Sequence, residues 1–153
     1  MPKVINKHQV IDDKWSNLDD DQDISCVNTK IIVSLERLKR DFESLKKKSK
    51  ALAVKLEETA AVNEIVPFLN DLQMVVLQFK VFADGRAFSQ AKLLRDRHGY
   101  QGQIRAVGDV IRDQLSFMQR SGFSQFQLAE TEDVNQAIHA FNEISKTYQP
   151  DLK

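Results

Sequence analysis

Five arginines fall between Phe82 and Leu115: Arg86, Arg95, Arg97, Arg105 and Arg112. Two of them stand in short patterns that pair glycine and aspartate with a cation, "FADGR" (Phe82–Arg86) and "GDVIRDQ" (Gly108–Gln114). An aspartate ahead of a helix caps it, a glycine permits the tight turn before it, and the first helical turn then offers unpaired N–H groups. Two such helix starts with arginines beside them would hold an oxyanion, because directed N–H donors and guanidinium groups both favour negative charge. The expected anion-binding residues are Gly85, Arg86, Ser89, Arg105, Gly108 and Arg112, with Gln78 and Gln127 lining the same cleft. If catalysis follows binding, the acid–base candidates are Lys55, Asp84, Asp109 and Asp113. Each of these also has an ordinary structural use as a cap or a surface ion pair, so the argument for a site rests on their convergence. Arg95 and Arg97 fall late in their helix, where a cation complements the helix dipole, and are assigned to structure.

Several other chemistries lack their motifs. No GxGxxG follows a strand and no Walker A sequence occurs, so no flavin, nicotinamide or nucleotide cofactor is expected. The three histidines, His8, His98 and His139, have no HExxH or comparable ligand spacing, and no metal is expected. No GxSxG elbow presents a serine nucleophile. The single cysteine, Cys26, can form neither an internal disulfide nor an iron–sulfur site.

The elements that would position these residues follow from hydrophobic periodicity. Five short apolar runs, "IIVSL", "LAVKL", "MVVLQF", "QIRAV" and "QFQL", each precede a segment of helical spacing. Leu35, Leu38, Phe42 and Leu45 mark the first such segment. Ile65, Phe68, Leu69 and Leu72 mark the next; Val110, Ile111, Leu115 and Met118, then Val134, Ala137, Ile138, Phe141 and Ile144, mark two more. Repeated strand-then-helix units predict an α/β fold with a parallel sheet.

A polar residue interrupts each apolar run: Ser34, Lys55, Gln78, Arg105 and Gln127. Side chains alternate across a strand, so these five are expected on one sheet face, near the C-terminal ends of the strands. Helices on one face and a polar concave face on the other describe the wall of a (βα)-barrel. Five units cannot close eight strands, which predicts a partial barrel, with self-association as one way to complete it. A doubly wound, flavodoxin-like sheet is the alternative. In both, ligands gather at the C-terminal strand ends.

Residues 1–29 read as an N-terminal β-hairpin and acidic loop, and residues 30–153 as the βα repeats of a single α/β domain. "VINKHQVI" suggests the hairpin, Trp15 could staple it to the body, and "NLDDDQD" is an acidic loop that lacks the spacing of a calcium loop. The 22 basic and 22 acidic side chains cancel, so no affinity for nucleic acid is expected. No apolar run approaches the roughly 20 residues of a membrane span, and no signal-peptide segment opens the sequence. Together with one cysteine, this predicts a cytoplasmic protein.

The stretches "IIVSLERL", "FADGRAFSQAKLLRDRHGYQGQIRAVGDVIRDQLSFMQRSGF" and "TYQP" closely resemble an uncharacterised proteobacterial family, a domain of unknown function (DUF934). Members of that family are labelled as oxidoreductases associated with sulfite reduction. The resemblance therefore implies an accessory role in assimilatory sulfur metabolism, either as a protein binding a sulfur oxyanion or as a non-catalytic partner of sulfite reductase. Where members usually carry cysteine before the glycine of "SGF", this chain has Ser121, which removes a redox thiol from that position.

Overall fold

A computed structural model describes residues 3–6, 9–21, 29–57, 59–79, 85–129 and 133–147. The N-terminal hairpin forms as its pattern predicts. β1 (Lys3–Asn6) and β2 (Gln9–Asp12) pair antiparallel, with Val4 opposite Ile11 and Asn6 opposite Gln9. The remaining strands are β3 (Trp15–Asn17), β4 (Lys30–Ser34), β5 (Ala51–Leu56), β6 (Met74–Phe79), β7 (Gln103–Gly108) and β8 (Gln125–Phe126). They make one eight-stranded sheet in the order β2-β1-β8-β7-β6-β5-β4-β3. From β3 to β8, neighbours in space are neighbours in sequence and every pair is parallel.

That order decides between the two architectures. A doubly wound sheet reverses its strand order at a switch point and buries helices on both faces. Here the order never reverses within the parallel strands, and the two faces carry different cores. One face packs Ile31, Val54, Leu77 and Ile104 against residues from every helix, including Leu38, Ala91, Met118 and Phe141. The other face holds a small cluster of strand residues, Ile32, Ala53, Met74, Val76 and Val107, with Trp15 against it. The fold is a partial barrel with its helices on the outside.

The helices arise locally as expected, with two departures. In α1 (Leu35–Lys48) the Ser34 hydroxyl caps the first turn by accepting from Arg37 N at 3.1 Å, and Leu38 and Leu45 are buried. The next segment, Val62–Asp71, is a 3-10 helix rather than an α-helix and contains Pro67. The proline ring crowds the carbonyl four residues back, which disfavours an α-helix through this segment. α2 (Arg86–Lys92) runs into a π-turn, Leu93–Arg97. A 3-10 turn, Arg112–Gln114, leads into α3 (Leu115–Arg120), and α4 (Val134–Thr147) closes the described chain.

The curl of the sheet follows from chain length. β2 and β3 are the two edges of eight strands, which in a flat sheet would stand about 34 Å apart at roughly 4.8 Å per strand. Only Asp13 and Lys14 join them, and three Cα–Cα steps reach at most about 11 Å. The sheet must curl enough to bring the end of β2 within that distance of the start of β3. No ladder joins β2 to β3 among the described residues, so the seam is bridged by the link. The hairpin thus supplies wall strands rather than forming a separate element, and Trp15 opens an edge strand.

Candidate functional site

Strand register settles which side chains face the barrel interior. Ser34 pairs with Lys55, Lys55 with Val76, Val76 with Arg105, and Arg105 with Gln125. Parallel partners point to the same side, and Gln78 lies two residues beyond Val76. Ser34, Lys55, Gln78 and Arg105 therefore share the inner face, as the alternation predicts. Gln127 continues the β8 ladder by donating its N–H to Ala106 O at 2.9 Å and is exposed beyond the strand.

The four do not share one height. Ser34, Lys55 and Gln78 are the fifth residues of their strands, whereas Arg105 is the third of six. The barrel consequently has two polar mouths. The upper mouth, at the C-terminal strand ends, is a cleft of about 730 Å³ lined by Asn17, Asp20, Ser34, Lys55, Glu57 and Gln78 among others. Arg105 belongs to a separate cavity at the N-terminal strand ends.

In the upper cleft, Ser34 is committed: its hydroxyl donates to Asp20 Oδ1 at 2.5 Å while capping α1. Arg37, buried beneath, donates from Nη1 to the carbonyls of Asp19 and Asp20 at 2.9 and 2.7 Å and so fixes this side of the rim. Lys55 and Gln78 are half-buried and make no hydrogen bond or ion pair among the described residues. The cleft thus combines an ammonium and a carboxamide from Lys55 and Gln78 with the carboxylates of Asp20 and Glu57.

Arg105 is 1% exposed and its partners are internal. Its Nε donates to Gln125 Oε1 at 3.0 Å and its Nη1 to Asp13 Oδ2 at 3.1 Å. Burial lowers its pKa, and Asp13 opposes that shift by stabilising the charged form. This arginine faces the lower cavity, away from the loops that follow the strands.

Among the described residues, Gly85, Arg86, Ser89, Gly108, Asp109 and Asp113 lie at the end of β7 or on the segments that follow β6 and β7 and do not line the cleft. Gly85 precedes α2, and Arg86 and Ser89 are exposed in its first turns. Asp109 and the exposed Asp113 flank the start of the 3-10 turn after β7, while Asp84 and the side chain of Arg112 lie outside the described residues. Gly108 has a conformational reason for its identity: φ is 94°, and a Cβ there would stand 2.2 Å from Phe79 O. Arg95 is structural as assigned, donating from Nε to Gly122 O and from Nη1 to the carbonyls of Tyr100 and Gly102.

Two contributors carry no sequence signal. Asp20 reads only as part of an acidic run, and Asp13 meets Arg105 across 92 positions. No helix of the described residues is long and apolar enough to cross a membrane.

Residues 53–153 match the family described as "Bacterial protein of unknown function (DUF934)". The chain belongs to the DUF934 family. The matched region begins in β5 and includes Lys55, Gln78 and Arg105, while Asp13, Asp20 and Ser34 precede it. No curated protein matches the chain.

Proposed function

We propose that this DUF934 protein is an accessory component of assimilatory sulfur metabolism that holds a small oxyanion-bearing molecule in the upper cleft. The observation that carries the binding reading is the pair Lys55 and Gln78, both turned inward and both without partners among the described residues. Polar groups that are half-buried and unpaired favour a ligand that pairs them. The sulfur assignment draws its support from the family resemblance, whose members are labelled by association with sulfite reduction. The carboxylates of Asp20 and Glu57 favour ligands that also carry hydroxyl or amino donors, such as a sulfonucleotide, over a bare ion. Gly85, Arg86, Ser89 and Arg112, on loops of the same edge, would extend that contact, with Asp84, Asp109 and Asp113 as the acid–base groups nearest in sequence.

Thermal unfolding with sulfite, sulfate and adenosine 5′-phosphosulfate tests this reading. A ligand at about 100 times its dissociation constant stabilises by roughly 2.7 kcal/mol, a rise of several degrees for a domain of this size. Lys55→Gln should remove the rise while leaving the unliganded melting temperature within about a degree or two, as expected for a half-buried group with no protein partner. No rise with any of the three compounds, or an equal rise in Lys55→Gln, overturns it.

A second reading, a non-catalytic partner of sulfite reductase, draws support from Phe117. This ring is 47% exposed and packs on Phe88 with centroids 4.9 Å apart. Co-elution with sulfite reductase that is lost in Phe117→Ser, with ligand response intact, would favour that reading over the first.

A further inference from the structure

The lower mouth lies at the opposite end of the barrel from the upper cleft and shares no lining residue with it. It is a cavity of about 660 Å³ whose lining includes four cationic residues: Lys3, Lys14, Lys30 and Arg105. Two of them are compensated. Lys3 pairs with Asp12 at 2.5 Å and Arg105 with Asp13 at 3.1 Å. Lys14 and Lys30 make no direct ion pair among the described residues; Lys14 acts on Asp12 only at longer range, and that carboxylate is already paired with Lys3, while Lys30 Nζ stands 5.7 Å from the centroid of the Trp15 ring. The mouth thus carries an excess of two positive charges.

The amides around it add donors and withhold acceptors. Gln73 Oε1 accepts from the backbone N–H of Leu52 at 2.8 Å, which fixes the orientation of that amide. Gln103 Oε1 accepts from Ser124 Oγ at 2.6 Å, and Ser124 Oγ itself accepts from Ile104 N, so the hydroxyl proton points to the glutamine. Gln125 Oε1 is taken by Arg105 Nε. The carbonyl oxygens are spent on the protein, and the NH2 groups of Gln73 and Gln103 remain without partners among the described residues.

We propose that the lower mouth is a binding site for a small dianionic oxyanion of the sulfate or phosphate type. Two uncompensated ammonium groups and two free carboxamide donors match the charge and the acceptor-only surface of such an ion. The buried Arg105 pair shapes the floor, and its guanidinium contributes field rather than a released donor. This site is independent of the reading proposed for the upper cleft.

The chain contains a single tryptophan, Trp15, which lines this mouth, so intrinsic fluorescence reports on it directly. Titration of the full chain with sodium sulfate and with sodium phosphate, against sodium chloride at matched ionic strength, separates the two dianions from general screening. A saturable change with either dianion, weakened at least tenfold in Lys14→Gln/Lys30→Gln and unaltered in Lys55→Gln, is the expected result. Lys14→Arg/Lys30→Arg should restore binding, and melting curves establish that each variant is folded. A chloride-matched, non-saturating response, or equal affinity in the double glutamine variant, overturns the proposal. Loss of the response in Lys55→Gln would assign it to the upper cleft instead and also overturn it.

Discussion

Asp13 accepts a hydrogen bond from Arg105 at 3.1 Å, joining the two-residue link at the barrel seam to the middle of β7. Its other carboxylate oxygen accepts from Trp15 N at 3.1 Å, so one side chain both turns the chain into β3 and neutralises a cation inside the wall. The pair therefore ties the edge of the sheet to its centre. Because the arginine is buried, the contact is worth most as the avoidance of an uncompensated charge.

Asp13→Ala should accordingly cost about 3–5 kcal/mol, the range for stranding one partner of a buried pair. Arg105→Met alone should cost less, since Asp13 is nearer the surface and can be hydrated. In the double variant Asp13→Ala/Arg105→Met the losses should be far from additive, because the first removes the reason for the second. Urea unfolding of the four proteins measures this cycle; additive losses would show that the two side chains act separately.

Arg95 makes the second prediction. Its guanidinium closes three carbonyls, those of Tyr100, Gly102 and Gly122, which lie on the turns before β7 and after α3. One side chain thus holds two turns together, and hydrogen bonds from a charged donor contribute about 1.5–3 kcal/mol. Arg95→Ala should lower stability by about 2–4 kcal/mol, and Arg95→Lys should recover only part, since an ammonium cannot span the three acceptors as a planar fork does. A loss below about 0.5 kcal/mol in denaturant unfolding, the ordinary range for a surface substitution, would contradict this role.

Face and height were not equally legible in the sequence. The period-2 alternation put Ser34, Lys55, Gln78 and Arg105 on one face, because a side chain's direction follows from its parity along the strand. The five apolar runs and their helices emerged for the same local reason. Height depends on stagger between strands, which pairing sets and no single strand encodes. Arg105 thus joined a lower cavity that sequence spacing had merged with the upper one. The link from Asp12 to Trp15 was equally opaque, since hairpin chemistry says nothing of which sheet edge the chain reaches next. The apolar spacing of Ile65, Phe68, Leu69 and Leu72 marks the second helical segment but does not register that Pro67 inside it disfavours an α-helix.

Alkaline pH supplies the third prediction. Tyr100 is buried, donates from Oη to Leu72 O at 3.0 Å, and burial raises its pKa above the ordinary 10.0. Below about pH 10 the phenol is protonated in both folded and unfolded chains and its shift contributes nothing to the pH dependence. Above that value the unfolded tyrosine ionises while the folded one must stay neutral, so stability falls as pH rises. Tyr100→Phe should cost about 0.5–1.5 kcal/mol at neutral pH from the lost hydrogen bond. Its stability should then decline less steeply than that of the wild type between about pH 9.5 and 11. Parallel declines in urea midpoints would mean that Tyr100 is not the group responsible.

The last prediction separates a conformational glycine from a site glycine. Gly85 and Gly108 both precede helical turns on the upper edge, and both belong to the anion-site expectation. At Gly108 the backbone lies at φ 94°, and an added Cβ would stand 2.2 Å from Phe79 O and 3.1 Å from Phe79 C. That carbonyl already accepts from Asp109 N at 2.8 Å, so it cannot move without breaking the β6–β7 connection. Strain at positive φ and a backbone clash each cost about 1–3 kcal/mol, and Gly108→Ala should lose roughly 3 kcal/mol or more. Gly85 has φ −79°, and a methyl group placed on its Cα would meet nothing within 4 Å. Gly85→Ala should therefore be neutral or gain about 0.4–1 kcal/mol through the unfolded chain. Denaturant unfolding gives both values, and oxyanion titration of Gly85→Ala then tests that position for binding without a stability loss to confound it. Equal destabilisation by the two substitutions would show that the loop before α2 is as constrained as the one after β7.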